Sequence, residues 1–365
     1  MKKSKLIVRA ATEADYPAIA LLLNNTFGPV SYEKRLKLWR WRYNDNPDKT
    51  NDIPPFLVGD QDGMIMAVQG FIPLRMKIRD QIFISGCSCD LAVNPKARSA
   101  GMKIKLRALK KELTQIPTTT TANVAANKIT LSLGGKELSP ARNKFIKPIR
   151  YSGLIKKKIS AKAGSFLGGI AGILVRPVDW VISLKSDSKR LPANQRIASI
   201  SLFDTRFDQF WNSTSNDYEN LFVRDSAYLN WRYIKYPFSG ISAFGLFEGD
   251  SLKGYYVIHR SIDNDGLPFL AILELMTRKD DIESANSLLS DILKQASKEG
   301  IDTVIAKAIS VDMRSLYTET GFRIRPLEIS PFTYKNNTDM PDEQFDTDSN
   351  WFIALGDGDA CYYFD

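Results

Sequence analysis

The stretch Trp41-Arg-Tyr-Asn-Asp-Asn-Pro47 recurs in the second half of the chain as Trp231-Arg-Tyr-Ile-Lys-Tyr-Pro237, with the same W-R-Y-x-x-x-P spacing. Each copy is followed by an apolar run, a turn with glycine and a second apolar run, which is typical of a β-hairpin. The hairpins are predicted at 56–71 and 244–259. The chain therefore contains two related halves.

Each half continues with the same order of predicted elements. A third apolar run carries an acid at matching positions, Asp90 and Glu274, and leads into a helix. The spacing of apolar residues predicts one buried face on each helix, which should pack on a sheet. These faces are Met102, Leu106, Leu109 and Leu113 in the first half, and Ala285, Leu288, Ile292 and Ala296 in the second. The basic residues of the first helix fall outside its apolar face: Lys103, Lys105, Arg107, Lys110 and Lys111.

A further strand and a short helix ending in glycine close each half. The strands are predicted at 118–124 and 303–308, and the helices end at Gly134 and Gly321. The order β-α-β-β-β-α-β-α, present twice, predicts the α+β class. We expect two tandem α/β sandwiches, each with a mixed, largely antiparallel sheet flanked by helices.

The length of 365 residues agrees with two domains at roughly 150 residues each. We predict a first domain at 1–150, a linker at 151–195 and a second domain at 196–365. The linker has a basic start and then an apolar run, 163–175, which is too short to span a bilayer. A connecting helix packed between the domains is favoured over a segment that rests on an anionic membrane surface, with 156–176 as the region concerned.

Composition excludes several kinds of chemistry. One histidine, His259, makes a multi-histidine metal site impossible, and no metal is expected. Three cysteines form no disulfide framework, and Cys87 and Cys89 are expected to be small core residues. The first residues lack the apolar core of a signal peptide, so a cytoplasmic location is predicted. The net charge of +9 suits an anionic ligand or a solvated cationic face, and spread lysines argue against nucleic acid.

The segment from Val93 to Lys103 lies between a strand and a helix. Unpaired backbone N–H groups at a helix N-terminus bind phosphate well. Gly101 allows close backbone approach, and Arg98 and Lys103 add positive charge. A phosphate-binding site is therefore predicted here.

This segment resembles the acyl-CoA pyrophosphate loop of the GNAT acetyltransferase superfamily, a strand ending V-x-P followed by R/Q-x-x-G-x-G/A. Val93, Pro95, Arg98 and Gly101 match the pattern, and Lys103 departs from it. Residues 7–15 are similar to the first strand and helix cap of the family, and Tyr317-Thr-Glu-Thr-Gly-Phe322 is similar to its closing motif.

The resemblance implies acetyl-CoA or another acyl-CoA as cosubstrate, with the acyl group attacked directly by an amine in a ternary complex. It assigns pantetheine and pyrophosphate contacts to Leu91, Ala92, Val93, Arg98, Ser99, Ala100, Gly101, Met102, Lys103 and Asn127. Asp90 is the candidate catalytic base. Glu274 stands at the matching position of the half that lacks the loop, and this duplication favours a structural role for both acids. Thr130 stands where the family often has the tyrosine that protonates the departing thiolate.

The second half lacks the pyrophosphate loop. Its corresponding segment, 278–285, has no glycine and three acids, which should repel pyrophosphate, so we expect no CoA binding of the usual kind there. The repeated Trp-Arg-Tyr motifs are then better explained as anchors than as an acceptor cleft.

The leading hypothesis is an N-acyltransferase acting on a small-molecule primary amine, with an amino sugar or a cell-surface polysaccharide precursor as the acceptor that the resemblance favours. An aminoacyl or peptidoglycan-bridge transferase also has a tandem GNAT fold, but Arg98 and Gly101 argue against it. A non-catalytic CoA-binding module is the third hypothesis, favoured by the departures at Lys103 and Thr130.

Overall fold

The protein consists of two mixed sheets flanked by helices. The structure is a computed structural model, and it describes residues 6–153, 155, 159, 174, 191–326, 332–346 and 350–359. The α+β class and the predicted order of elements in both halves are confirmed. Among the described residues, no helix combines the length and apolarity needed to cross a bilayer. The proposed membrane-facing segment, 156–176, lies almost entirely outside the described residues.

The first half opens with a strand and two helices, and Ser31 caps the second helix by accepting a hydrogen bond from the backbone N–H of Lys34. A π-helical turn, Arg40–Asn44, extends that helix and carries the first Trp-Arg-Tyr motif. The elements are β1 (Ile7–Ala10), α1 (Tyr16–Phe27), α2 (Tyr32–Trp39), β2 (Phe56–Gln61), β3 (Met64–Ile78), β4 (Gln81–Val93), α3 (Arg98–Ala108), β5 (Ile116–Thr119), α4 (Val124–Ser132), β6 (Lys136–Glu137) and β7 (Asn143–Pro148).

The second half repeats this order with one additional short strand between its first two helices, and its π-helical turn, Asn230–Ile234, carries the second motif. The elements are β8 (Gln195–Ile200), α5 (Thr205–Thr214), β9 (Asn220–Phe222), α6 (Ser226–Leu229), β10 (Ile241–Glu248), β11 (Ser251–Ile262), β12 (Pro268–Thr277), α7 (Ile282–Lys298), β13 (Thr303–Ala306), α8 (Val311–Glu319), β14 (Arg323–Pro326), β15 (Thr333–Tyr334) and β16 (Trp351–Phe352). The predicted buried face of α7 is confirmed.

The predicted face of α3 is correct only in part, because Leu109 and Leu113 are buried but lie beyond the end of the helix. The helix ends at Ala108 and buries Ala100, Ile104 and Lys105, whereas Met102 is exposed. The helical side that packs toward β2 and β3 carries Ala100, Ile104 and Ala108, none of which the predicted face included. Lys105 therefore lies in the interior.

The two sheets exchange strands between the halves. The first sheet has the order β1-β2-β3-β4-β5-β15-β6, with β9 on β3 and β16 on β9. The second has the order β14-β7-β13-β12-β11-β10-β8. Strand β7 of the first half thus lies inside the second sheet, and β15 of the second half lies inside the first. The domain boundaries proposed from the sequence stay a prediction, and the sheets do not coincide with them.

The two Trp-Arg-Tyr motifs meet where the halves pack together. The indole N–H of Trp41 donates to the backbone carbonyl of Trp231 at 2.8 Å, and that of Trp231 donates to the carbonyl of Trp41 at 2.8 Å. The two buried rings stack with centroids 5.0 Å apart. This reciprocal pair makes the motifs anchors between the halves.

Candidate active site

Strands β4 and β5 are paired at one end and separate at the other. Their parallel pairing runs from Ser85 with Ile116 to Ser88 with Thr119, after which β4 continues to Val93. The predicted strand 118–124 is wrong at its end, because the Asn123 side chain accepts from the backbone of Ala126 and starts α4. The separation leaves a cavity of about 240 Å³ between the strands.

A β-bulge shapes the β4 side of this cavity. Val68 pairs with Ala92 and Gly70 with Cys89, so that Gln69 lies opposite both Asp90 and Leu91. Asp90 has a φ of 52°, in the left-handed region that non-glycine residues rarely adopt. A bulge of this kind redirects side chains locally, and both Asp90 and Leu91 line the cavity.

Asp90 is held by the first Trp-Arg-Tyr motif. The buried Arg42 donates from Nη1 to Oδ2 of Asp90 at 2.5 Å. The matching acid of the second half, Glu274, accepts hydrogen bonds from Arg224 at 3.1 Å and from the Tyr233 hydroxyl at 3.0 Å. Both acids are thus tied to buried partners, as a structural role requires, and Asp90 alone of the two also faces the large cavity.

The predicted pyrophosphate loop forms the N-terminus of α3. A 3₁₀ turn, Pro95–Ala97, precedes the helix, and Arg98, Ser99 and Lys103 are exposed. The N–H groups of the first helical turn have no partner within a helix and are available to an anion. Packing also favours glycine at position 101, since a Cβ there would lie only 3.0 Å from Cγ2 of Val93.

Lys105 enters the cavity from α3 and was not predicted to do so. The residue is 3% exposed, and burial lowers the pKa of its ammonium group to about 8, with the negative charge of Asp359 acting in the opposite direction. The basic pattern of α3 in the sequence concealed it, because Lys105 stands among lysines and an arginine that do face solvent.

Asp359 comes from the C-terminal segment and also lines the cavity. The hydroxyls of Thr120 and Thr121 donate to its two oxygens at 2.6 Å and 2.7 Å. Burial raises the pKa of Asp359, although both threonine hydroxyls oppose the rise. Arg232 of the second motif holds the segment by donating to the carbonyls of Gly356 and Gly358. No local pattern in the sequence signals this placement.

The corresponding slot of the second half is filled by the same C-terminal segment. Strands β12 and β13 pair from Phe269 with Thr303 to Ala271 with Ile305 and then separate. The cavity that remains is only about 10 Å³, and it is lined by Phe352, Ile353 and Ala354. The N–H of Gly356 donates to the carbonyl of Leu273 at the bulge of β12, at 2.7 Å. The chain itself therefore fills the second slot, whereas the first slot is open.

Other predicted residues lie outside the cavity lining. Ala92 is buried in its pair with Val68, and Asn127 donates through Nδ2 to Glu137 at 2.7 Å. The hydroxyl of Thr130 donates to the carbonyl of Ala126. The cavity thus brings together Asp90 and Leu91 of the predicted set. At the start of α3, Ala100 and Gly101 are buried, whereas Arg98, Ser99, Met102 and Lys103 are exposed.

The cysteines of β4 are buried, as expected of core residues. Burial raises the pKa of the Cys87 thiol to about 12 and that of Cys89 well above its usual value. Neither thiol is activated as a nucleophile.

The structure is similar to solved structures described as a GCN5-related N-acetyltransferase, a probable N-acyltransferase and an N-myristoyltransferase. A GCN5-related N-acetyltransferase from Anabaena variabilis aligns with a TM-score of 0.60 and 11% identity, over 92% of this chain and 73% of that chain. A probable N-acyltransferase from Enterococcus faecalis aligns at 0.59 and 11% identity, over 92% and 73%. Saccharomyces cerevisiae N-myristoyltransferase with bound myristoyl-CoA aligns at 0.57 and 12% identity, over 91% and 79%.

No protein-family model and no curated protein sequence matches the chain. The structural neighbours, together with the splayed β4–β5 pair and the bulge at Asp90, define the fold. The chain has the fold of the GNAT superfamily, in a tandem two-sheet form.

Proposed function

We propose that the protein is an acyl-CoA-dependent N-acyltransferase, which moves an acetyl or other acyl group from CoA to a primary amine. The observation that carries this proposal is the cavity between β4 and β5, which is lined by Asp90 and Leu91 of β4 and by Lys105 of α3. One structural neighbour is described with bound myristoyl-CoA, which supports acyl-CoA as the donor.

The N-terminus of α3 is the proposed pyrophosphate site. Its first-turn N–H groups carry a partial positive charge, and the exposed side chains of Arg98 and Lys103 add full charges. The part of β4 from Cys89 to Val93 extends beyond the pairing with β5. In this part of β4, the backbone N–H and C=O groups on the edge that faces away from β3 are not paired with β5, and they are suited to hydrogen bonds with the amides of a pantetheine arm.

Asp90 is the proposed base. The amine must lose a proton as it attacks the thioester, and a positioned carboxylate can accept that proton directly or through water. Arg42 holds one oxygen of Asp90, and among the described residues the other oxygen has no hydrogen-bond partner. Small-molecule amines, amino sugars first, are the acceptors to screen.

Isothermal titration with acetyl-CoA tests the cofactor site. Arg98→Glu places a carboxylate at the start of α3 without the steric conflict that any side chain at Gly101 would cause. We expect it to weaken binding at least about 10-fold, since a charged hydrogen bond is replaced by repulsion. Arg107→Glu makes the same charge change at an exposed position near the other end of α3 and should change binding little.

Failure of the wild-type protein to bind acetyl-CoA would remove the acyltransferase proposal and favour the aminoacyl-transfer alternative. If CoA binds, release of free thiol should be followed across a panel of amines, with Asp90→Asn as the catalytic variant. Binding without turnover on any amine would favour a CoA-binding module.

A further inference from the structure

Lys105 presents a buried cation to the cavity. Its ammonium group has no hydrogen-bond acceptor among the described residues, although the residue is 3% exposed. Leaving a buried ammonium unpaired is costly, so a partner that arrives with the ligand would be favoured. The groups that face Lys105 are Asp359 from the C-terminal segment and the thiols of Cys87 and Cys89 from β4.

A proton donor is required when a thioester is converted to an amide, because the departing thiolate carries a negative charge. Thr130 does not serve the cavity, since its hydroxyl is committed to the carbonyl of Ala126. The other lining hydroxyls, those of Ser88, Thr119 and Thr121, are alcohols and far weaker acids than an ammonium group, and burial raises the pKa of the Cys89 thiol well above its usual value. Lys105 is the cationic donor among the described lining residues.

We propose that the Lys105 ammonium group donates a proton to the CoA thiolate as it leaves. This inference rests on the proposed acyltransferase function. The amine nitrogen forms a bond to the thioester carbonyl carbon, the carbon–sulfur bond breaks, and its electron pair stays on sulfur. A proton moves from Nζ of Lys105 to that sulfur and yields the CoA thiol. The proton lost by the amine passes to Asp90 or to water, and neutral Lys105 recovers a proton from solvent.

The acid strength of Lys105 fits this role. Burial lowers its pKa to about 8, close to the value of ~8.5 for an ordinary thiol, so that the proton transfer is nearly balanced in free energy. Asp359 faces the ammonium group and favours its protonated form. The C-terminal segment would therefore act as a positioning element that keeps the donor charged before the reaction.

The test uses CoA itself and needs no acceptor. The ultraviolet absorbance of the thiolate reports the titration of the CoA thiol when it is bound to the wild-type protein, to Lys105→Met and to Lys110→Met. Lys110 is an exposed lysine just beyond α3 and provides the matched control. A cation within about 4–6 Å of the sulfur should lower the thiol pKa by at least ~1 in the wild type and in Lys110→Met, but not in Lys105→Met.

The outcomes separate this inference from the proposed function. Equal thiol titration in the wild type and Lys105→Met, with CoA bound by both, would overturn the role of Lys105 and leave the acyltransferase proposal standing. No CoA binding by the wild type would remove both. Acylation of Lys105 itself after incubation with acetyl-CoA, detected by mass spectrometry, would make it a nucleophile and also overturn the role.

Kinetics give a second readout once an acceptor is known. Lys105→Met should lower kcat by about 10²–10⁴-fold with little change in KM, the range typical for loss of a general acid. Lys105→Arg should keep CoA binding but not restore kcat, because a guanidinium group does not release its proton. Rescue of kcat by the arginine variant would contradict proton donation.

Discussion

The buried ion pair between Asp357 and Arg224 should hold the C-terminal segment in the second slot. Both oxygens of Asp357 accept from Nη2 of Arg224 at 2.8 Å, and one of them also accepts from the backbone N–H of Ala354. Both side chains of the pair are fully buried. We therefore expect Asp357→Ala to remove hydrogen bonds to Arg224 and Ala354 that water cannot replace in the interior.

The expected cost is about 3 kcal/mol of unfolding free energy. Removing one partner of a buried ion pair costs about 3–5 kcal/mol, and Glu274 still accepts from Arg224, which places the estimate at the lower end. Guanidinium chloride denaturation at neutral pH measures the change. Limited proteolysis tests whether the segment from Trp351 onward becomes accessible, since its side chains are no longer held in the slot.

Asp339→Ala is the matched control for this prediction. Asp339 accepts from Lys111 at 2.7 Å, almost the same distance, but its side chain is almost fully exposed. Solvent screens such a pair, so little change in stability is expected. Equal losses of stability in Asp357→Ala and Asp339→Ala would refute the view that burial gives the Asp357 pair its importance.

Three further predictions concern the interior. Burial lowers the pKa of Lys105 from 10.5 to about 8, so that the unfolded chain binds more protons than the folded chain between these pH values. Lys105→Met should therefore stabilise the fold by up to ~3 kcal/mol at pH 7 and by little at pH 10.5. Denaturation at both pH values measures the difference. Trp41→Phe and Trp231→Phe should each cost about 2–3 kcal/mol, and their effects should not add in the double variant, because each leaves the same reciprocal pair incomplete. With the third cysteine replaced by serine, Cys87 and Cys89 should not react with a thiol reagent in the native protein, and rapid labelling at neutral pH would contradict their burial and raised pKa.

The order of elements could be predicted because each carries a local signal. The hairpin of β2 and β3 follows from its alternating apolar runs and its Asp62-Gly63 turn, where both residues have positive φ. The face of α7 follows from helical spacing. In α3 the same reasoning was right for Leu109 and Leu113 but wrong for Met102, and it missed the small buried residues Ala100 and Ala108.

Long-range placement could not be predicted. Strand β15 contains two residues, and its local sequence does not say that it lies between β5 and β6 of the other half. The same holds for Asp359, whose partners Thr120 and Thr121 are more than 200 positions away in the chain. Lys105 was hidden for a related reason, since only the packed structure distinguishes it from its exposed neighbours.

The exchange of strands has a consequence for biosynthesis. During translation the first sheet lacks β15 and β16 until residues 333–352 have left the ribosome, although the strands that the first half contributes emerge earlier. A premature stop codon between positions 150 and 333 would therefore deprive the first half of these strands and of Asp359, even though it leaves residues 1–150 intact. Neither copy of the repeat can therefore be lost without removing strands from the sheet of the other copy.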